Sequence, residues 1–350
     1  MSDTGPPPIR LARRTALALL AAAPLAGAAQ TTTALAATPL GEAPTLLVAG
    51  PQGGRLDRWA EQLAPALAPG LPAGTRLQRL LVGGADGVTG ANQFATRVTP
   101  DGNTLLLLPG DAALAWLVGD LRAQFDAAQW LGVVAGVAPA VVCGRAAAWK
   151  PGDKIRVGMA GPVGPDLAAM LGLELAGLTP EPVFGVLDQG AAAQALAARA
   201  IDAVLLRGAG VTANLGPLAQ VGGAAMFTLA LDARRDPAWL GIPTLAEFSA
   251  ARGAAPNAAL HEAWRGVAAA AQTEFALVLP HLTPAALVAL WRQAGTLAAG
   301  APELHDAAGS MRALGVPEAH ALTQALAPGV PEIAELRGWL AARLGWRPPA

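Results

Sequence analysis

Residues Pro51-Gln52-Gly53-Gly54-Arg55-Leu56-Asp57 combine the types that hold a small anion. Glycines let backbone N–H groups approach a ligand, and a helix beginning just after them adds partial positive charge at its N-terminus. Arg55 has two readings: it pairs with a ligand carboxylate, or it points into solvent. Asp57 also has two. It stabilises the first turn of a helix through the dipole, or it orients the turn and accepts a hydrogen bond from ligand or water. Catalytic machinery is sparse. His261, His281, His305 and His320 form no HExxH pair, and no G-x-S-x-G elbow or P-loop occurs. Gly83 to Gly90 is dense in glycine but lacks the G-x-G-x-x-G order of a dinucleotide site. Cys143 is the only cysteine, so neither an intramolecular disulfide nor a cysteine metal cluster is possible, and its setting in Ala140-Val141-Val142-Cys143 is that of a core strand. The sequence calls for no cofactor and no metal. For an enzyme, only Asp57, Asp166 and Asp188 are candidates to move a proton in a cleft.

Strand and helix patterns must position these residues. Leu46-Leu47-Val48-Ala49 is an apolar run short enough for a buried strand. Leu56, Trp59, Ala60, Leu63 and Leu67 then share one helical face. Strands are expected at Arg76–Val82, Thr104–Leu108, Leu131–Val137 and Ala140–Cys143, with a short helix over Ala91–Val98. From Lys150 the rhythm restarts. Ile155–Met159, Val183–Leu187, Ile201–Leu206 and Ala224–Leu231 read as strands, with helices after Pro165 and over Ala191–Ala198. Alternation of this kind implies parallel sheets flanked by helices. Thr244 and Glu247 have capping-box spacing, and Trp264 reads as a core aromatic beside a strand. The C-terminal part reads as helical. Thr283 is a candidate N-cap before Pro284, and a last helix carries Ile333, Leu336, Leu340 and Leu344 on one side, with Gly345 as its cap.

Composition bounds the function. The chain has 350 residues, enough for two ordinary domains. Formal net charge is −1, charged residues are 14%, and Lys150 and Lys154 are the only lysines, so no basic patch attracts nucleic acid. Arg10, Arg13 and Arg14 precede an apolar stretch from Ala16 to Ala29, and small residues follow. This is the layout of a secretory signal, and the stretch is shorter than the ~20 apolar residues that span a bilayer. Segment 1–37 is therefore expected to be a signal peptide, with cleavage near Ala29 or Ala37.

In order along the chain, these pieces resemble the substrate-binding proteins of tripartite tricarboxylate transporters, the Bug family. A PxGGxxD turn stands at Pro51–Asp57 and a GAxGxxGA turn at Gly84–Ala91. PDGxTLL stands at Pro100–Leu106, PTLAE at Pro243–Glu247 and W-x-G at Trp264–Gly266. The resemblance implies a periplasmic-binding-protein type II fold, with two α/β domains joined by two crossovers around a ligand cleft. Residues 43–143 plus 264–350 form the first domain and 144–263 the second. It implies a periplasmic, monomeric protein that binds a small carboxylate or similar polar metabolite without catalysis and delivers it to membrane permease subunits. A receptor feeding a sensor kinase, or an enzyme on the same fold, is the alternative. The ligand would meet Gln52, Gly53, Gly54, Arg55 and Asp57, then Gly84 and Gly87, and from the second domain Gly161, Val163, Gly164 and Asp188. The sequence departs from the family pattern in the second domain. Gly185-Val186-Leu187-Asp188-Gln189 replaces a VPYKG-like segment, and Ala160–Asp166 lacks the usual hydroxyl and histidine. The Asn that normally precedes the second glycine turn is also missing.

Overall fold

The centre of the first sheet is built on the apolar runs Leu46–Ala49 and Leu105–Leu108. In the computed structural model, which describes residues 40–145, 149–231, 234–255, 257–305 and 311–347, the expected signal segment lies outside the described residues. β1 (Thr45–Val48) leads into α1 (Arg55–Leu67), β2 (Gln78–Leu81), α2 (Val88–Arg97), β3 (Thr104–Leu108), α3 (Gly110–Val118) and β4 (Trp130–Val137). Leu105 to Leu108 are all buried, as parallel strands covered on both faces require. α1 buries Leu56, Ala60, Leu63 and Leu67, and Trp59 rests on Phe275 with ring centroids 5.2 Å apart.

The second sheet begins at β5 (Ala140–Arg145) and continues through β6 (Lys154–Met159), α4 (Leu167–Leu175), β7 (Thr179–Phe184), α5 (Gln189–Ala197), β8 (Ala203–Arg207), α6 (Ala209–Gln220) and β9 (Gly223–Thr228). The chain then passes through α7 (Leu245–Ala250) and α8 (Ala258–Gln272) and returns to the first sheet as β10 (Thr273–Pro280). It closes with α9 (Ala285–Ala299), β11 (Arg312–Leu314), α10 (Val316–Ala325) and α11 (Val330–Leu344). The strand orders are β11-β4-β10-β3-β1-β2 and β7-β6-β8-β5-β9. β1 is parallel to β2 and β3, β6 is parallel to β7 and β8, and the strands that cross between sheets, β5 and β10, are antiparallel to their neighbours. Residues 38–350 cohere as one unit, so the sheets form two lobes of one body. α8 packs against α3, α4 and α11, and Trp264 donates its indole N–H to the Ala168 carbonyl at 3.0 Å.

Several sequence expectations shift. The boundary expected at 143/144 falls inside β5, because Cys143 pairs with β8 and β9 in the second sheet. The boundary at 263/264 falls inside α8, and Trp264 lies on that helix rather than beside a strand. The strand expected at Val183–Leu187 is Thr179–Phe184. Pro180 and Pro182 mask it in the sequence, and they are tolerated because β7 is an edge strand. The C-terminal part is not purely helical. β10 inserts between β3 and β4, where pairing on both sides buries Phe275 to Leu279. Thr283 does not cap α9. Pro284 holds its predecessor out of helical geometry, and the Thr283 hydroxyl donates to the Pro280 carbonyl instead. The capping box at Thr244 and Glu247 forms, and Gly345 ends α11 in the left-handed region.

Candidate functional site

The turn after β1 is closed by its own side chains. Gly54 N–H donates to the Pro51 carbonyl at 3.0 Å, and Gly53 N–H donates to Asp57 Oδ2 at 2.9 Å. Arg58 Nη1 reaches back to the Gly53 carbonyl at 2.8 Å. The two glycines serve different ends. Gly53 sits at φ +69°, a left-handed conformation that disfavours any side chain, with open space around it. Gly54 is extended, and an added Cβ would come within 2.8 Å of the Pro51 carbonyl oxygen. Asp57 is 6% exposed, and its other oxygen accepts from Arg79 Nη1 of β2 at 2.8 Å. The Gly53 and Gly54 amides, expected to face a ligand, bond within the turn, and Asp57 holds the turn by accepting from Gly53 N–H and Arg79. Gln52 at the tip and Arg55 and Arg58 in the first turn of α1 are exposed.

Arg55 is partly exposed and is also paired within the protein. Its guanidinium lies 3.0 Å from Glu274 and 3.7 Å from Asp111, carboxylates of β10 and α3. In the second glycine turn, Gly84 is exposed and Gly87 is buried. Gly87 takes φ +75° at the start of α2, and an added Cβ would meet Pro109 Cδ at 2.4 Å. Gly87 therefore packs the turn closely onto the β3–α3 corner. Asp86 accepts from Val88 N–H and pairs with Arg122 at 2.8 Å.

The second lobe places three turns at the C-terminal ends of β6, β7 and β8. Gly161 and Gly164 lie in open space in the first of these, and Val163 packs against the main core. Asp166 closes this turn by accepting from Ala160 N–H at 3.1 Å. Burial pushes its carboxyl above the usual carboxylate range, and Arg207 opposes that shift. Asp188 caps α5, accepting from Ala191 N–H at 2.7 Å. Gln189 grips the β8 end by donating to the Arg207 carbonyl and accepting from Arg207 N–H, at 3.0 and 3.1 Å.

The lobes meet behind these turns. Arg207 Nη1 donates to the Ala271 carbonyl at 2.8 Å, and Glu274, three residues on, receives Arg55. The C-terminal ends of β8, β1 and β3 therefore converge on residues 271–274, where α8 runs into β10. Counting outward from that junction, β3, β1 and β2 of the first sheet hold the same places as β8, β6 and β7 of the second. Sequence reading missed Arg207, Gln189, Asp111 and Glu274 as members of this assembly. Each lies at the end of a strand or the start of a helix, and only the topology brings them together. Cys143 is a core residue whose thiol is pushed up to about 12 by burial. Among the described residues, no cluster of His, Cys, Asp and Glu could hold a metal ion, and no helix is long and apolar enough to cross a membrane.

No protein-family profile matches the chain, and no curated protein sequence matches it. Solved structures do match. A TctC solute binding protein from Polaromonas aligns with a TM-score of 0.62 at 18% identity, covering 86% of this chain and 98% of that one. The periplasmic binding protein BugD gives 0.48 at 18% identity, covering 86% and 98%. MatC from Rhodopseudomonas palustris, solved with bound malate, gives 0.47 at 19% identity, covering 85% and 99%. The likeness is one of fold: two α/β lobes joined by two crossover connections.

Proposed function

We propose that this chain is a divergent member of the Bug family, an extracytoplasmic solute-binding protein. In this reading it captures a small carboxylate in the periplasm and presents it, without turnover, to the permease subunits of a tripartite transporter. One observation carries the reading. Turns from both sheets converge on Ala271–Glu274 through Arg207 and Arg55, so the two crossover connections back a single interlobe cleft. A cleft of this kind binds by closure, and bending at a few residues between lobes suffices. Gln52 and the first turn of α1 offer donors to an anionic group from the first lobe, while Arg58 and Asp57 keep the turn in shape. The Polaromonas structure, a solute binding protein by its description, supports the same role through shared fold.

The test is calorimetric titration of the purified protein with a panel of small carboxylates, followed by small-angle scattering at saturation. Binding accompanied by a smaller radius of gyration is expected. Failure of every small carboxylate to bind the folded protein would overturn the reading.

A further inference from the structure

The second lobe's wall is apolar where a dicarboxylate would need donors. Its β6–α4 turn runs Ala160-Gly161-Pro162-Val163-Gly164-Pro165, and its β7–α5 turn runs Gly185-Val186-Leu187. Neither contains a Lys, Arg, His, Ser, Thr or Asn. The two turns are neighbours, because Met159 pairs with Phe184 in register and Val186 N–H donates to the Met159 carbonyl at 3.1 Å. Val186 is pinned against Gly158, whose added Cβ would lie 3.3 Å from Val186 Cγ2. That anchor leaves Phe184 and Leu187 on either side of it, 49% and 77% exposed. A single exposed leucine is ordinary. Two large apolar side chains within one four-residue stretch, beside a Pro-Val-Gly-Pro turn and at the C-terminal end of β7, form a surface suited to hydrocarbon.

The charges point the same way. The carboxyl groups flanking these turns are those of Asp166 and Asp188, each already accepting a backbone N–H. Arg207, whose charge acts on Asp166, donates to the Ala271 carbonyl. A second carboxylate on a ligand would lose its water here and meet the carboxyl groups of Asp166 and Asp188, and neither turn carries a basic side chain to replace the loss. An apolar ligand body would instead cover Phe184 and Leu187 on closure.

Resting on the solute-binding reading above, we infer that the cleft selects a monocarboxylate with an apolar body over a di- or tricarboxylate, with Leu187 as a specificity-determining residue. Hexanoate and adipate share a six-carbon chain and differ by one terminal carboxylate, so they isolate the effect. The full chain is titrated with hexanoate, phenylacetate and adipate, as wild type and as Leu187→Ser, a change at an exposed site that spares the melting temperature. Expected is at least about tenfold tighter binding of hexanoate or phenylacetate than of adipate, a difference of about 1.4 kcal/mol. Leu187→Ser should erase most of that preference. If adipate binds as well as or better than both monocarboxylates, or if Leu187→Ser leaves the preference intact, the inference fails and the solute-binding reading stands. If none of the three binds at millimolar concentration, the inference and its carboxylate premise fall together.

Discussion

At Asp57 one carboxylate ties three elements: the glycine turn through Gly53 N–H, α1 on which it sits, and β2 through Arg79. Asp57→Ala leaves Arg79 without this partner and Gly53 N–H without its acceptor. Loss of a charge-assisted bond at such a buried acceptor is worth roughly 1.5–3 kcal/mol. We expect the variant to lose stability by about that much in urea denaturation and to bind more weakly, both together, because the same contact serves fold and site. Weaker binding with unchanged stability would instead make Asp57 a direct ligand contact. The neighbouring glycines allow a sharper separation. Gly54→Val drives a side chain into the Pro51 carbonyl and reshapes the turn, so binding should be lost while circular dichroism stays native. Gly177, at φ +79° just past α4, is the control. Gly177→Ala should cost about 1–2 kcal/mol through left-handed strain and leave affinity unchanged. The sequence made the turn legible because glycine spacing and the helical pattern are local signals. It hid the use of Asp57 and Arg55, because their partners stand at positions 79, 111 and 274.

At the scale of elements, parallel strands and amphipathic helices were legible wherever one period persisted. β1, β3, α1 and α11 fall where apolar spacing puts them. β7 was displaced by prolines that only an edge strand tolerates, and β10 went unread because an apolar run of that length does not distinguish a buried strand from a helix. Two carboxyl groups at strand ends of the second lobe should give it opposite pH responses. Arg156 bonds both oxygens of Asp202 at 2.9 Å, joining β6 to the start of β8, and holds that carboxyl below the usual range. Its stabilisation is present above the unfolded value near 4 and is lost as pH falls through the lowered folded value. Asp166 has the opposite sign. Burial raises it, so ionisation destabilises the folded state at neutral pH, and the penalty is relieved as pH falls through the raised value. Melting curves across pH should therefore show Asp202→Asn below wild type at neutral pH, with the gap closing in acid. Asp166→Asn should lie above wild type at neutral pH, with its advantage vanishing in acid. The reverse ordering would show that these pairs do not govern the lobe.

For the whole molecule, the proposed binding function rests on one arrangement: two lobes that meet at residues 271–274, with the glycine turn of the first lobe tied to that junction through Arg55. The lobes and their order were legible because the αβ rhythm stops and restarts. Their mutual placement was not, because it depends on α8 packing against both lobes and on β10 returning to the first sheet. The most direct measurement is mass spectrometry of small molecules released on denaturing the gently purified protein, run on wild type and Gly54→Val side by side after circular dichroism has shown both to be folded. The account predicts a carboxylate-bearing compound at near-stoichiometric yield from wild type and its loss from Gly54→Val. The same compound at the same yield from both proteins would contradict the claim that this turn holds the ligand.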